Sequence, residues 1–318
     1  MQLIRGMHNF SSKQPDFAKG CALTIGNFDG VHLGHQAVLT HLRKKANTLH
    51  LPMVLMLFEP QPREYFQGEQ APARLMRLRD KLQALSKLGV DTVICVKFDR
   101  TFAQLDANEF VRDWLVKKLH VKFLSIGDDF RFGTQREGDF ALLQRMGEQF
   151  GFVVEDNRTF QLDEQRISST AIRNALANDD LALAQNLLGR PYRIFGKVVH
   201  GQKLGRTIGF PTANIRLHRQ VNPIKGVYAV KVRCKCGEIF NGVANIGRRP
   251  TVNGVKQLLE VHLFDFNNDL YGQTIEVEFC KKIRNEMKFS SVDALKAQIQ
   301  KDAQVAKNYF NKILFTTV

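Results

Sequence analysis

Two histidines three residues apart, His32 and His35, lie in a glycine-punctuated stretch, Gly26 to His35 (GNFDGVHLGH). The stretch follows an apolar run, Ala22-Leu23-Thr24-Ile25, and precedes helical spacing at Ala37, Val38, Leu42, Ala46 and Leu49. This pattern predicts a strand turning into a helix, with glycines at 26, 30 and 34 in the turn. Such a turn lets backbone N–H groups approach an anion and aims at it a helix N-terminus carrying roughly half a positive charge. The imidazoles share one face of the first helical turn. With the free N–H groups they make a donor-rich pocket suited to a phosphate. The bland alternative, a helix entry with two surface histidines, leaves the coincidence of strand, glycines and paired donors unexplained.

Three further stretches carry chemistry. Ile167-Ser168-Ser169-Thr170-Ala171-Ile172-Arg173 opens a predicted helix, 170–178, for which Ser168 or Ser169 is a good N-cap. Capping explains one hydroxyl; the others, with Arg173 one turn on, suit a second anion site. Gly201 to Asn214 (GQKLGRTIGFPTAN) has glycines at intervals of four, 201, 205 and 209, which favour close backbone approach. It does not match the Walker pattern. Thr212 and Asn214 offer a hydroxyl and an amide oxygen, hard ligands that suit Mg²⁺; a glycine-rich bend between strands is the plainer reading. Glu260, in Leu259-Glu260-Val261-His262-Leu263, is a carboxylate inside an apolar run. Alternation puts it on one face with His262. That face is either solvated, or Glu260 points into a barrel mouth as a base.

The elements that position these residues fall into two patterns. From 21 to about 157, short strands (22–25, 52–58, 91–98, 122–127, 152–155) alternate with helices carrying Leu75, Leu78, Leu82, Leu85 and Leu88, then Phe110, Val111, Trp114, Leu115 and Leu119, then 139–149. This predicts an α/β, Rossmann-like domain with a parallel sheet covered on both sides. Loops after two strands, 58–62 and 127–133, sit on the side where such sheets bind ligands. In the second, Asp128 and Asp129 either cap a turn or face a ligand. After a short helix, 181–188, alternating runs at 194–199, 227–233, 239–246, 258–264 and 274–279 predict a small antiparallel β-barrel. Helical spacing at Leu295, Ile299, Ala303, Ala306 and Phe310 predicts a terminal helix, and the domain boundary is placed near 185.

At 318 residues the chain is long enough for two cores. It has no apolar run of about 18 residues and no hydrophobic signal core at its start. Its five cysteines are scattered and, with one close pair only, complete no zinc site. They read as reduced thiols of a cytoplasmic protein. The net charge of +15 permits nucleic acid, a membrane surface or anionic small substrates. Lysines and arginines are spread along the chain rather than clustered with aromatics, so neither nucleic acid nor membrane is expected. Oligomeric state is not legible.

GNFDGVHLGH, GDDFRFG, ISSTAIR, GRTIGFPTANI, GVYAV, NIGRRPTV, LEVHL and KKIRNEMKF occur here in the order seen in the prokaryotic bifunctional riboflavin kinase/FMN adenylyltransferase family. The chain resembles that family over nearly its whole length. One departure is Pro60-Gln61-Pro62, where relatives often carry Pro-His-Pro. The resemblance implies a kinase in residues 185–318, making FMN from riboflavin and ATP, and an adenylyltransferase in residues 1–184, making FAD from FMN and a second ATP. For the kinase it implies an ATP cradle at Gly201, Lys203, Gly205, Arg206, Gly209 and Pro211, Mg²⁺ on Thr212 and Asn214, and Glu260 as base. Arg284, Glu286 and Phe289 match the segment that closes over the flavin. For adenylyl transfer it implies His32 and His35 as donors to the phosphates, with Gly26, Asn27 and Gly34 in the turn. Ser168, Ser169, Thr170 and Arg173 then grip ATP phosphates, and Asp29 and Asp129 lie toward the flavin. Two other readings compete: a single-activity adenylyltransferase with an accessory barrel, which leaves Thr212, Asn214 and Glu260 idle, and a basic nucleic-acid binder, which leaves both phosphate loops idle.

Overall fold

A computed structural model describes residues 1–10, 17–127, 129–157, 161–162, 165–201, 205, 209–217, 221–251 and 254–316. The chain divides into two compact units: Met1–Pro72 with Met76–Ser169, and Ala73–Leu75 with Thr170–Val318.

The first unit is built on six parallel strands: β1 (Gln2–Arg5), β2 (Cys21–Ile25), β3 (Met53–Glu59), β4 (Thr92–Lys97), β5 (Val121–Ile126) and β6 (Val153–Asp156). Their spatial order is β1-β4-β3-β2-β5-β6. Successive residues of a strand face opposite sides, and both sides are covered. Leu23, Ile25, Val54, Met56, Ile94 and Leu124 pack beneath Val111 and Leu115. Ala22, Leu55, Val93 and Phe123 pack against Leu39, Leu42 and Ala46 of helix α1 (Leu33–Thr48) and Leu85. The continuous apolar strands follow from this double burial. Because β3 and β5 flank β2, the chain leaves the C-terminal end of β2 at the sheet's switch point, the place where an open crevice forms.

The strands and main helices that the pattern predicts in this half are present, while several short elements, β1 among them, were not read from the sequence. Strand β1 has four residues and pairs only with β4 at the sheet edge, so it carries no alternating pattern long enough to read. The segment Phe110–Lys118 is a π-helix, its end marked by the five-residue bond from Leu119 N–H to the Trp114 carbonyl, 3.0 Å. Helix α2 (Pro62–Gln67) follows the Pro60-Gln61-Pro62 loop; the Glu64 carboxylate accepts from the Gln61 N–H at 2.9 Å, closing its first turn. Helix α3 (Leu78–Lys87) begins after Leu75 of the leucine stripe. A two-stranded hairpin, β7 (Gln161–Leu162) and β8 (Gln165–Arg166), ends the unit.

The second unit opens with helices Ser169–Ala177 and Leu181–Leu188. Six antiparallel strands follow: β9 (Arg193–Val199), β10 (Ala213–Arg216), β11 (Gly226–Arg233), β12 (Ile239–Thr251), β13 (Gly254–Leu263) and β14 (Thr274–Arg284). They close into a barrel in the order β10-β13-β12-β11-β14-β9. Ile215, Tyr228, Val230, Ile246, Leu259, Val261 and Val277 are buried on alternate positions. The terminal helix, Val292–Thr316, lays Ala303, Ala306 and Phe310 on Val227, Ala229, Val243 and Phe264 of the barrel wall. Strands β12, β13 and β14 run further than their alternating cores predict. β10 begins inside the Gly201–Asn214 stretch that sequence alone reads as a glycine-rich bend and runs two residues past it.

Candidate functional site

In the first unit the turn after β2 is tightly bent. Phe28, Gly30 and Val31 all take positive φ, at 46°, 85° and 42°. Such values are costly for a β-branched or aromatic residue and cluster at functional turns. His32 is the N-cap of α1, and its Nδ1 accepts from the His35 N–H at 3.3 Å. Nδ1 of His32 is therefore unprotonated, and a neutral His32 carries its proton on Nε2. The two rings stack, centroids 3.6 Å apart and planes 19° apart. A Cβ on Gly34 would lie 3.2 Å from the His32 ring, so the glycine lets the ring lie flat over the helix start. His35 is held well below the ordinary 6.5 by burial first, then by electrostatic repulsion from His32 and from Lys81. It is thus a neutral imidazole at pH 7.

Asn27 Oδ1 and His35 Nδ1 are buried and find no hydrogen-bond partner among the described residues. Two orphaned polar atoms in one turn suit a polar ligand. Asp29 is buried and accepts from the Met76 N–H at 3.1 Å. The Ser169 hydroxyl donates to the Asp29 carbonyl at 2.8 Å, tying Ser169 to the turn. The helix starts at Ser169, which leaves Ser168 in the capping position. Thr170 and Arg173 follow on that helix and pair with each other at 3.3 Å. Gly26 directly follows β2, beside Asn27. Sequence reasoning missed Lys81: it sits within the leucine stripe of α3, is 1% exposed, and its ammonium donates to the Asn27 carbonyl. A lysine at a core position of an amphipathic helix was the available signal. Asp129 is exposed, and Asp128 lies outside the described residues.

In the second unit a row of residues crosses the barrel wall. Asn214 on β10 pairs with Glu260 on β13, Glu260 with Asn245 on β12, Asn245 with Val227 on β11, and Val227 with Arg284 on β14. Directly opposed side chains on one face lie about 4.5–5.5 Å apart at Cβ. Glu260 and His262 alternate with fully buried Leu259 and Val261, so they stand on the outer face. That face is neither bare nor a barrel mouth. The terminal helix and the segment after β14 cover it, enclosing a cavity of about 210 Å³ lined by Thr212, Glu260, Arg284, Glu286, Phe289 and Asp302, among others. A second cavity, about 470 Å³, is lined by Pro211, Thr212, Asn268, Asp269 and Tyr271. Thr212 lines both.

Local geometry explains the glycines and prolines here. A Cβ on Gly201 would lie 2.4 Å from the Asn214 amide, and one on Gly205 would lie 2.3 Å from the Phe210 carbonyl and 3.3 Å from Thr212 Oγ1. The bend therefore presses its backbone onto Asn214 and Thr212. Gly209 has φ 88°. His262 Nδ1 donates to the Pro211 carbonyl at 2.9 Å. A Cβ on Gly247 would collide with the Glu286 carboxylate. The Asn214 amide nitrogen donates to the Thr212 carbonyl at 3.3 Å, which sets the direction of its Oδ1. Asn245 was missed by sequence reasoning; its register with Glu260 needs the strand pairing. Lys203 and Arg206 lie outside the described residues.

No helix among the described residues is long and apolar enough to cross a membrane. No cluster of three His, Cys, Asp or Glu suited to a metal occurs among them.

The FAD synthetase family matches residues 14–171 and the riboflavin kinase family residues 188–310. A bifunctional riboflavin kinase/FMN adenylyltransferase of Haemophilus influenzae is 71% identical, covering 98% of this chain and 100% of its own. The Escherichia coli K12 protein of that name is 58% identical, covering 98% of each. A crystal structure titled macrolide-efflux protein, from Streptococcus pneumoniae, superposes with TM-score 0.78 at 30% identity, over 97% of this chain and 99% of that one. The efflux of that title belongs to that protein alone. With the parallel sheet, the closed barrel and these full-length matches in hand, the chain belongs to the bifunctional riboflavin kinase/FMN adenylyltransferase family.

Proposed function

We propose that this chain phosphorylates riboflavin to FMN with ATP in its barrel half, residues 185–318, and adenylylates FMN to FAD with a second ATP in its α/β half, residues 1–184. The observation that carries the kinase reading is Thr212, which lines both barrel cavities and so stands where a nucleotide in one meets a flavin in the other.

In the kinase, the ribityl 5′-hydroxyl of riboflavin attacks the γ-phosphorus of ATP, the bond to the β,γ-bridging oxygen breaks, and ADP leaves. An alcohol is a poor nucleophile, and Glu260, inside the flavin cavity, accepts its proton. Asn245 and Asn214, on either side of Glu260 in register, hold that carboxylate in line. Thr212 Oγ1 and Asn214 Oδ1 lie two residues apart at the start of β10 and are both hard oxygen donors. They fit Mg²⁺, which would take its other ligands from phosphate and water. The ion supplies neutralisation of phosphate charge. Gly201, Gly205 and Gly209, with Lys203, Arg206 and Pro211, form the cradle for ATP. Arg284, Glu286 and Phe289 close over the flavin.

In adenylyl transfer the FMN phosphate is already an anion, so no base is needed. Charge gathers instead on the α-phosphate and the departing pyrophosphate. His32 Nε2–H, neutral His35 and the N-terminus of α1 are the donors preorganised for it. Gly26, Asn27 and Gly34 bring the backbone close, Ser168 and Ser169 add hydroxyls, and Asp29 and Asp129 lie toward the flavin.

The test is the product time course with riboflavin and Mg-ATP. FMN appears first and FAD follows. His32→Ala stops the course at FMN, with a loss of about 10²–10³ in FAD formation. Glu260→Ala makes no FMN yet converts supplied FMN to FAD. Either substitution abolishing both reactions in folded protein overturns the two-site reading.

A further inference from the structure

Arg284 ends β14 and lines the flavin cavity, and its hydrogen bonds are unusual for a ligand-gripping arginine. Nε donates to both oxygens of Asp302, at 2.9 and 3.0 Å, and Nη2 donates to Asp302 Oδ2 at 2.7 Å. Nη1 donates to the Asn285 carbonyl at 2.9 Å. Asp302 itself, on the terminal helix, is 3% exposed and accepts a further bond from Gln298 Nε2 at 2.9 Å. All three guanidinium nitrogens are thus turned into the protein. Its Nε–Nη2 edge is occupied; one N–H on each Nη remains, together with the two flat faces, and the Phe289 ring centre lies 5.7 Å from the guanidinium carbon.

We propose that Asp302 is a positioning residue of the kinase site: by taking the N–H edge of Arg284 it presents the guanidinium plane to the flavin ring, as a stacking plate rather than an anion grip. The inference rests on the kinase reading above. A planar, weakly hydrated guanidinium stacks well on an aromatic plane, and only a fixed partner holds that plane still. The bidentate carboxylate fixes both position and tilt. It also neutralises the charge, so the plate suits an uncharged ring system such as isoalloxazine. A role as a mere clamp for the terminal helix would predict lost stability without lost flavin affinity.

The full-length protein is titrated with riboflavin in the absence of ATP, reading the Kd and the change in the flavin's visible absorption. Asp302→Asn keeps shape but weakens the bidentate pair; Arg284→Lys keeps charge but has no plane. Each is expected to weaken riboflavin binding about tenfold and to remove the absorption change that stacking causes. In turnover the loss falls on KM for riboflavin more than on kcat. Conversion of supplied FMN to FAD reports that the first unit is folded in each variant. Unchanged Kd and spectrum in both variants, with only a lower melting temperature, overturn the proposal. So does Asp302→Asn weakening binding while Arg284→Lys does not. Should Asp302→Asn fail to fold, Arg284→Lys decides alone. Wild-type protein that forms no FMN from riboflavin and Mg-ATP overturns the kinase reading, whereas the ATP-free titration judges the plate by itself.

Discussion

His35 stays uncharged because the surrounding protein opposes its proton on three counts: burial first, then electrostatic repulsion from the stacked His32 ring, then the buried Lys81 ammonium. An unfolded chain has none of these, so its His35 takes up a proton as pH falls through the ordinary 6.5. Below that point the unfolded state binds more protons than the folded one, and stability drops as pH is lowered; above it the two states match and the effect vanishes. Urea unfolding of the wild type between pH 7.5 and 5.5, set against His35→Leu, is expected to show an excess slope approaching one proton, about 1.4 kcal/mol per pH unit. An NMR titration of His35 with an ordinary midpoint would contradict it. At this scale the paired histidines, Glu260, Thr212 and Asn214 were legible because each is a polar group inside a patterned run. Asn245, Lys81 and Asp302 were not. Asn245 acquires its meaning from a partner fifteen residues away across a strand pair, and Asp302 from an arginine on another element.

The terminal helix is the element on which the cavity beside Glu260 depends. Leu295, Ile299 and Asp302 form one wall, and the following turns anchor the helix through Ala303, Ala306 and Phe310. Phe310 is 4% exposed against the barrel wall. Truncating such a side chain removes its burial and leaves a void, so Phe310→Ala should cost about 3–5 kcal/mol. Thermal unfolding followed by riboflavin phosphorylation checks it: the kinase should fail at a lower temperature than the conversion of FMN to FAD. An unchanged melting profile would mean that the helix is not held at this contact. Its apolar spacing announced the helix, yet not the face of the barrel it covers, since that depends on which wall is left apolar outside. The same limit applies to Glu260. Alternation placed it opposite Leu259 and Val261, but whether its face met water was decided by a helix more than thirty residues on. Strands β1 and β10, of four residues each, were too short for periodicity to speak.

For the whole molecule the question is where the kinase half begins. Composition changes near 185, after the helix Leu181–Leu188, and a boundary there follows from the change in pattern. Contacts begin the second unit earlier, at Thr170. A partly buried polar cluster ties this early segment to the barrel. Tyr228, fully buried on β11, donates its hydroxyl to Asp179 Oδ1 at 2.5 Å, and Lys282 Nζ reaches the same oxygen at 2.9 Å. The ammonium also lies 4.7 Å from the Tyr228 ring centre. Burial first, and then Asp179, push the Tyr228 phenol well above its ordinary range, so it remains a donor at any working pH. A fragment of residues 185–318 lacks Asp179 and leaves a buried hydroxyl and an ammonium without their carboxylate. A fragment of residues 170–318 keeps it. The Lys225 carbonyl, 3.1 Å from the Tyr228 hydroxyl, remains as an acceptor in both fragments, so what is lost is a hydrogen bond to a charged group, about 1.5–3 kcal/mol, and the longer fragment should be more stable by about that amount in chemical denaturation. Asp179→Ala in the longer fragment should remove most of the advantage. Equal stability of the two fragments would show that the kinase half is complete from 185 and that the cluster contributes nothing to its fold.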